Sequence, residues 1–350
     1  MARIRVLAAE DSPTVRDLLV SVLQSDPEIE LVGVASDGKE AIELCAAHRP
    51  DVVTMDMMMP VMSGLAATEH IMAYSPTPIL VVSSSFNRGE LFKMYDALVA
   101  GAVDVLEKPS GREPEGEWER KFLSTVKLVS RIKVITHLKA RSRPAATAAT
   151  TGSIRPSSSR VSLAAIGAST GGPGAIVEVL RGLPADLGVP VLFVLHINPQ
   201  FGHAFADWLD AQTAWRARFA IEGEPLSAAT GQVVMAPPGR HLMLKDGRLR
   251  LDDGPERFSC KPSVDVLFES VAAASGGSTV AALLTGMGRD GAQGLLAIRQ
   301  AGGNTIAQDE ASSVVYGMPR EAVLNGGAGR VLPLGEIASA ITAAVRGARA

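Results

Sequence analysis

Short apolar runs alternate with helix-period stretches along most of the chain, and the alternation breaks once. In the first part the apolar runs are Ile4–Ala9, Ile29–Ala35, Val52–Met55, Ile79–Val82 and Val103–Leu106, each followed by apolar residues at helical spacing. Short continuous apolar runs suit strands buried on both faces, so five β-α units in a row predict a parallel sheet covered on both sides. Pro13 suits the first turn of a helix with Ser12 as its N-cap. The last helix of this part is expected from Glu117 to about Leu138. Around residues 140–160 Ala, Thr, Ser, Pro and Arg dominate and no apolar period survives, which reads as a flexible linker of low complexity.

From Val161 the alternation resumes. Strands are expected at Leu163–Ala168, Val189–His196, Val280–Thr285, Asn304–Ala307 and Arg330–Leu334. Helices are expected at Gly174–Leu183, His203–Thr213, Ser263–Ala274, Ala292–Ala301 and Ile337–Arg349. Between them, Val233–Ala236 and His241–Leu244 flank a Pro-Pro-Gly-Arg turn and Arg248–Leu251 follows an Asp-Gly turn. That stretch, Gln232–Asp252, predicts an antiparallel hairpin insert and hence a mixed sheet. The fold class expected is α/β, with two doubly wound parallel-sheet domains. Residues 1–125 form the first, 126–160 a helix extension and flexible linker, and 161–350 the second, larger one with the hairpin.

Composition narrows the function classes. The chain has 350 residues, enough for two domains with their own cores, and 47% of them are hydrophobic. A net charge of -3 and the lack of a basic recognition helix speak against a nucleic-acid partner. No apolar run reaches the length of a membrane span, and the acidic residues at Glu10 and Asp11 come too early for a signal peptide. A cytoplasmic protein with no direct membrane insertion is expected. Cys45 and Cys260 lie far apart, form no CxxC pair, and read as small buried or half-buried hydrophobes.

In a parallel sheet, ligands bind beyond the carboxyl ends of the strands. Glu10 and Asp11 follow the first strand, Asp56 the third, Ser83 the fourth and Lys108 the fifth. Three converging carboxylates need a hard cation, and Mg2+ takes oxygen ligands. One carboxylate then acts as nucleophile toward a phosphoryl group, whose oxygens a Ser hydroxyl and a Lys ammonium can bind. Solvated loop charges are the plain alternative for any one of these residues, less so for the full set.

The second domain places a different set at its strand ends. Gly167-Ala-Ser169-Thr-Gly171 fits G-x-S-x-G, where small residues let a sharp turn lift a Ser clear of the sheet, with a helix N-terminus behind it for an oxyanion. The glycines fit neither phosphate-loop pattern. A nucleophilic Ser needs a base, and the base an orienting acid. His196 ends the run Val-Pro-Val-Leu-Phe-Val-Leu-His, and Asp290 follows Val280–Thr285. His203 and His241 compete for the base role and read as surface or rim histidines, while His48, His70 and His137 read as solvated. Met57, Met58 and Met59 read as loop packing.

The segments AEDS, DVVTMDMMMPVMSG, VVSS and EKP resemble the receiver domain of two-component response regulators, which is flavodoxin-like. That resemblance implies Asp56 as phosphoacceptor and Glu10, Asp11, Asp56 and the Met58 carbonyl as Mg2+ ligands. It also implies Ser83 and Lys108 as the phosphate-sensing pair and a cis Lys108–Pro109 peptide. Glu10 stands where Asp is common, and Val105 where many receivers carry an aromatic switch. The segments IGASTGG, VLHINPQFG, GRHLML, PSVDVLFESVA, LLTGMGRDGAQGLLAIRQAGG and IAQDEASSVVYGMPREAV resemble the methylesterase domain of the CheB family of chemotaxis response regulators. The implied roles are Ser169 as nucleophile, His196 as base, Asp290 as its orienting acid, and Thr170 and the Met287 N–H beside the oxyanion. No cofactor is implied for the esterase site. The implied partners are a chemosensory histidine kinase and methyl-accepting chemoreceptors, with glutamine deamidation as a second reaction and a receiver that silences the cleft until phosphorylated. The segment INPQFGHAFADWLD departs from the family's usual pattern and is expected at the cleft's border. A receptor deamidase with minor esterase activity and a receiver-controlled interaction module are the rival readings.

Overall fold

The computed structural model describes residues 3–84, 88–109, 111, 114–132, 134 and 160–347. The fold divides into two compact units, Met1–Ala145 and Ala146–Ala350. The expected linker at 140–160 lies outside the described residues except for Arg160.

In the first unit β1 (Ile4–Ala9), β2 (Ile29–Ala35), β3 (Val52–Met55), β4 (Ile79–Ser83) and β5 (Asp104–Glu107) form a five-stranded sheet in the order β2-β1-β3-β4-β5. All its pairings are parallel. The strands alternate with α1 (Pro13–Ser25), α2 (Gly38–His48), α3 (Gly64–Tyr74), α4 (Arg88–Val99) and α5 (Glu117–Val129). Ser12 precedes α1 as foreseen, with Pro13 in the first turn, but its side chain makes no cap bond. Helix α5 is amphipathic. It buries Trp118, Phe122, Val126 and Val129 in a stripe along one face. It ends at Val129, and the expected continuation to about Leu138 lies largely outside the described residues. Each buried side chain on the stripe contributes about 1.5–3 kcal/mol.

In the second unit seven strands form one sheet in the order β14-β13-β12-β6-β7-β9-β8. They are β6 (Leu163–Ala168), β7 (Val191–Leu195), β8 (Arg216–Phe219), β9 (Gln232–Met235), β12 (Thr279–Leu283), β13 (Asn304–Gln308) and β14 (Arg330–Leu332). Helices α6 (Gly172–Gly182), α7 (Pro199–Gln212), α8 (Val264–Ser275), α9 (Ala292–Gln300), α10 (Met318–Leu324) and α11 (Leu334–Arg346) cover it. Every pairing in this sheet is parallel, which corrects the expected mixed sheet. The hairpin exists, but it is β10 (His241–Lys245) with β11 (Arg248–Asp252), turning at Asp246-Gly247 with both φ positive, and it stands as its own two-stranded sheet. Burial explains the difference. Val233, Val234 and Met235 are all buried, as a central parallel strand requires, whereas the hairpin strands keep exposed positions. Strand β8, Arg-Ala-Arg-Phe, went unread because an edge strand tolerates charge and shows no apolar run.

Candidate active site

The order of the second sheet puts a topological switch at its centre. The chain runs from β6 outward through β7, then returns to add β12 on the other side of β6. The crevice beyond these carboxyl ends is where ligands of such sheets bind. Ala168 pairs with Leu195, so Ser169 and His196 each sit one residue past a paired position on adjacent strands. Asp290 arrives on the loop after β12. The structure therefore brings the three residues to one end of three adjacent strands.

Ser169 is fixed through its backbone. Its N–H donates to the Thr285 carbonyl (3.0 Å) and its carbonyl accepts from Gly172 N–H (2.6 Å). Gly286 backs the turn closely: a Cβ there would lie 2.7 Å from the Ser169 Cβ. The N–H groups of Thr170 and of half-exposed Met287 have no protein acceptor among the described residues. The Thr170 carbonyl accepts from Thr285 Oγ1 (3.0 Å), which ties the two loops together.

His196 Nε2 lies 2.8 Å from Asp290 Oδ2. That leaves Nδ1 as the ring nitrogen for proton exchange. Asp290 is buried and also accepts from Ser263 Oγ (2.7 Å), Val264 N–H (2.7 Å) and Asp265 N–H (3.0 Å). The carboxylate thus sits on the N-terminus of α8, where unpaired N–H groups and the helix dipole favour negative charge. Burial works against that charge, but the His196 and Ser263 bonds outweigh it, and the Asp290 pKa is lowered. Burial also disfavours the imidazolium of His196. The bonds to Asp290 and Cys260 prevail, and its pKa is pushed up to about 9.

The rival histidines differ from His196 in their bonds or their place. His241 is buried, not at a rim as expected. Its Nδ1 accepts from Ser263 N–H (3.0 Å), so its Nε2 donates to the Pro255 carbonyl (3.0 Å), and no ring nitrogen remains. His203 is exposed on α7. His48 is half-buried and His70 exposed, while His137 lies outside the described residues. In the departing segment Trp208 is buried and packs on Phe205, with ring centroids 5.3 Å apart, so it serves the core rather than a cleft border.

Two neighbours escaped sequence reasoning. Ser263 anchors Asp290, and the Ser-x-x pattern at the start of α8, where its side chain also accepts from Val266 N–H (3.3 Å), was the available signal. Cys260 Sγ lies 3.6 Å from His196 Nδ1, and no spacing rule could have found it.

The first unit carries its own pocket. Carboxylate oxygens of Glu10, Asp11 and Asp56 lie within 4.8 Å of one another. Lys108 Nζ is 3.0 Å from Asp56 Oδ2 and hydrogen-bonds Glu10 Oε1 at 3.0 Å; it is also 2.8 Å from Oε2, outside hydrogen-bonding alignment. Burial raises the Glu10 pKa despite Lys108. Burial opposes the Lys108 charge, but Glu10 and Asp56 outweigh it and raise its pKa. Ser83 Oγ is buried with no hydrogen-bond partner. Gly64 is needed here, because a Cβ would fall 1.9 Å from the Asp56 carbonyl oxygen. Met57 and Met59 are buried, and the Met58 side chain, 44% exposed, meets Lys93 Nζ at 3.4 Å. Val105 is half-buried on β5. Among the described residues the one cis peptide is Lys261–Pro262, which corrects the expected cis Lys108–Pro109. Lys108 reaches both carboxylates across the trans bond that X-Pro peptides favour by about 0.5–1 kcal/mol. Three carboxylates with no nitrogen or sulfur donor fit a hard divalent cation such as Mg2+.

A receiver-type α/β unit followed by an α/β unit with Ser, His and Asp at its switch point defines a class of two-part hydrolases. Residues 164–341 match the family described as CheB methylesterase, and residues 6–114 the family described as response regulator receiver domain. The chain is 45% identical over 339 residues to protein-glutamate methylesterase/protein-glutamine glutaminase 2 of Anaeromyxobacter dehalogenans (strain 2CP-C), covering 97% of this chain and 96% of that one. It is 43% identical over 347 residues to the protein-glutamate methylesterase/protein-glutamine glutaminase of Nitrosospira multiformis, covering 97% and 96%. The crystal structure of the Thermotoga maritima CheB methylesterase catalytic domain matches with a TM-score of 0.50 and 32% identity, over 53% of this chain and 98% of that one. The chain belongs to the CheB methylesterase family.

Proposed function

We propose that the chain hydrolyses glutamate methyl esters on the cytoplasmic helices of chemoreceptors and deamidates receptor glutamines at the same site, under control of phosphorylation at Asp56. The observation that carries this reading is the 2.8 Å His196–Asp290 pair one residue past β7, beside Ser169 at the end of β6. Ser169 Oγ attacks the ester carbonyl carbon while His196 Nδ1 takes its proton. The Thr170 and Met287 N–H groups donate to the oxyanion. Collapse breaks the carbon–methoxy bond, and the imidazolium returns the proton to the leaving methanol. A water then attacks the acyl-enzyme with His196 again as base, freeing glutamate and Ser169. With a glutamine side chain the leaving group is ammonia. The reaction needs no metal or cofactor at this site. The test is methanol release from a methylated receptor fragment and ammonia release from its glutamine form. Release of neither by the folded, phosphorylated chain would refute the reading.

The raised His196 pKa gives a pH prediction with a definite sign. A base must be deprotonated, so activity is lost as pH falls below a raised pKa. The ascending limb of kcat/KM is expected above the ordinary histidine value of 6.5, toward about 9. Cys260→Ala should move the limb down, since the Cys260 bond helps to raise that pKa. A limb at or below 6.5 in the parent contradicts the Asp290–His196–Cys260 arrangement as the catalytic state.

In the first unit an Asp56 oxygen attacks phosphorus and the bond to the donor nitrogen of a kinase phosphohistidine breaks. Glu10, Asp11 and Asp56, with the Met58 carbonyl, would hold Mg2+, which neutralises phosphoryl charge when bound. The Ser83 hydroxyl and Lys108 ammonium take the phosphoryl oxygens. Asp56→Asn is expected to abolish acid-labile labelling by a small phosphodonor and any activation that depends on it; labelling that persists in that variant would mean the acceptor lies elsewhere. A cytoplasmic location suits these partners, and among the described residues no helix is long and apolar enough to cross a membrane.

A further inference from the structure

Cys260 is held against His196 by the loop that leads into α8. Arg257 and Cys260 exchange backbone hydrogen bonds of 3.1 and 2.9 Å across a tight turn whose central residues, Phe258 and Ser259, both have positive φ (51° and 59°). Neither is Gly, so the turn carries strain of about 1–3 kcal/mol per residue that its surroundings must hold. They do so through an ion pair of Arg257 with Glu269, where Nη2 lies 2.6 Å from Oε1, and through the Arg289 guanidinium 4.4 Å over the Phe258 ring. Cys260 is half-buried.

We propose that His196 Nδ1 and Cys260 Sγ form a binding site for Zn2+, oriented by Asp290, and that its occupancy shuts the esterase reversibly. The inference rests on His196 as the catalytic base. The 3.6 Å between Sγ and Nδ1 is the separation two ligands share on one tetrahedral zinc. At Zn–S of about 2.3 Å and Zn–N of about 2.0–2.1 Å, the tetrahedral angle places them about 3.6 Å apart. Ligand atoms of His196, Cys260 and Asp290 all lie within 4.8 Å of one another. Asp290, already accepting four hydrogen bonds, acts behind the histidine: its hold on Nε2 fixes the ring and turns Nδ1 outward, as carboxylates do behind zinc-bound histidines. Water completes the coordination. Binding releases the thiol proton and takes the nitrogen that must accept the proton of Ser169, so metal and turnover exclude each other. The soft sulfur donor separates this site from the all-oxygen pocket of the first unit, which suits Mg2+.

The test uses the full-length chain in excess Mg2+, with Co2+ as spectroscopic probe and Zn2+ at buffered free concentrations. In the parent, Co2+ should give a thiolate-to-cobalt charge-transfer band that Zn2+ abolishes. The band should persist in Ser169→Ala and vanish in Cys260→Ser and in His196→Ala. Micromolar free Zn2+ should lower the parent's esterase rate about tenfold or more, with recovery on chelation, and have little effect on Cys260→Ser relative to that variant's own metal-free rate. A parent without the band, or a band or zinc inhibition undiminished in Cys260→Ser, overturns the proposal. The band is read without turnover, so a chain that binds Co2+ at Cys260 but releases no methanol would refute the esterase reading and leave the metal site standing.

Discussion

Ser169→Ala is expected to fold as the parent does and to lose ester hydrolysis by on the order of 10^4- to 10^6-fold, because members of a triad act as a unit. The two halves of that expectation come from separate observations. Stability is spared because Ser169 is anchored by backbone bonds, to the Thr285 carbonyl and from Gly172 N–H, and Ala keeps both. Removing a half-buried hydroxyl should change the unfolding free energy by less than about 1 kcal/mol. Activity is lost because Ala has no oxygen to attack the ester carbonyl, whereas the backbone N–H groups of Thr170 and Met287 are unchanged. Ser263→Ala gives the contrast. It removes the bond to Asp290 Oδ1 and the cap of α8, so it should cost about 0.5–2 kcal/mol and lower activity only modestly. Methanol release and denaturant unfolding, measured on both variants, check the pair. A folded Ser169→Ala protein with near-parental activity would mean another nucleophile.

The three residues were legible in the chain for a physical reason. Each ends, or closely follows, an apolar run, and a parallel sheet gathers its carboxyl ends along one edge, so position along the chain becomes position in space. The same logic located Glu10, Asp56, Ser83 and Lys108. It failed where the determinant was not periodic. Val233–Met235 and His241–Leu244 are both largely apolar, and what separates them is that the hairpin strands end in exposed residues, Lys245, Arg248 and Asp252, while β9 has no exposed position. The approach of Cys260 to His196 depends on a positive-φ turn at Phe258-Ser259, residues with no sequence signature for that conformation. His241 was misplaced because a histidine in a hairpin looks exposed until its two ring nitrogens find Ser263 and Pro255.

Asp290→Asn separates charge from shape, and its effect should be nearly as large as that of the serine. The carboxylate accepts four hydrogen bonds, from His196, Ser263, Val264 and Asp265. An amide offers one accepting oxygen and one donating nitrogen. If the nitrogen faces Ser263 and Asp265 N–H, it opposes a backbone donor at the α8 terminus. If it faces Val264 N–H and His196, it opposes another backbone donor and forces the imidazole to present a lone pair on Nε2, which puts the proton on Nδ1, the nitrogen that must be free to accept. Either way a buried donor is left unpaired, at a cost of about 1–3 kcal/mol. In the second orientation the histidine also has the wrong tautomer, for which a rate loss of about 10^4 is the expected scale. Linkage fixes how the stability loss varies with pH. The Asp290 pKa is lowered from its ordinary 3.8, so the carboxylate contributes stability that is present above 3.8 and fades as pH falls through the lowered value. The stability gap between parent and Asp290→Asn should therefore be widest near neutral pH and close in acid. Denaturant unfolding at several pH values, with methanol release at neutral pH, tests both parts. A gap that stays constant into acid, or a variant with parental turnover, would show that the charge on Asp290 supports neither the α8 terminus nor the base.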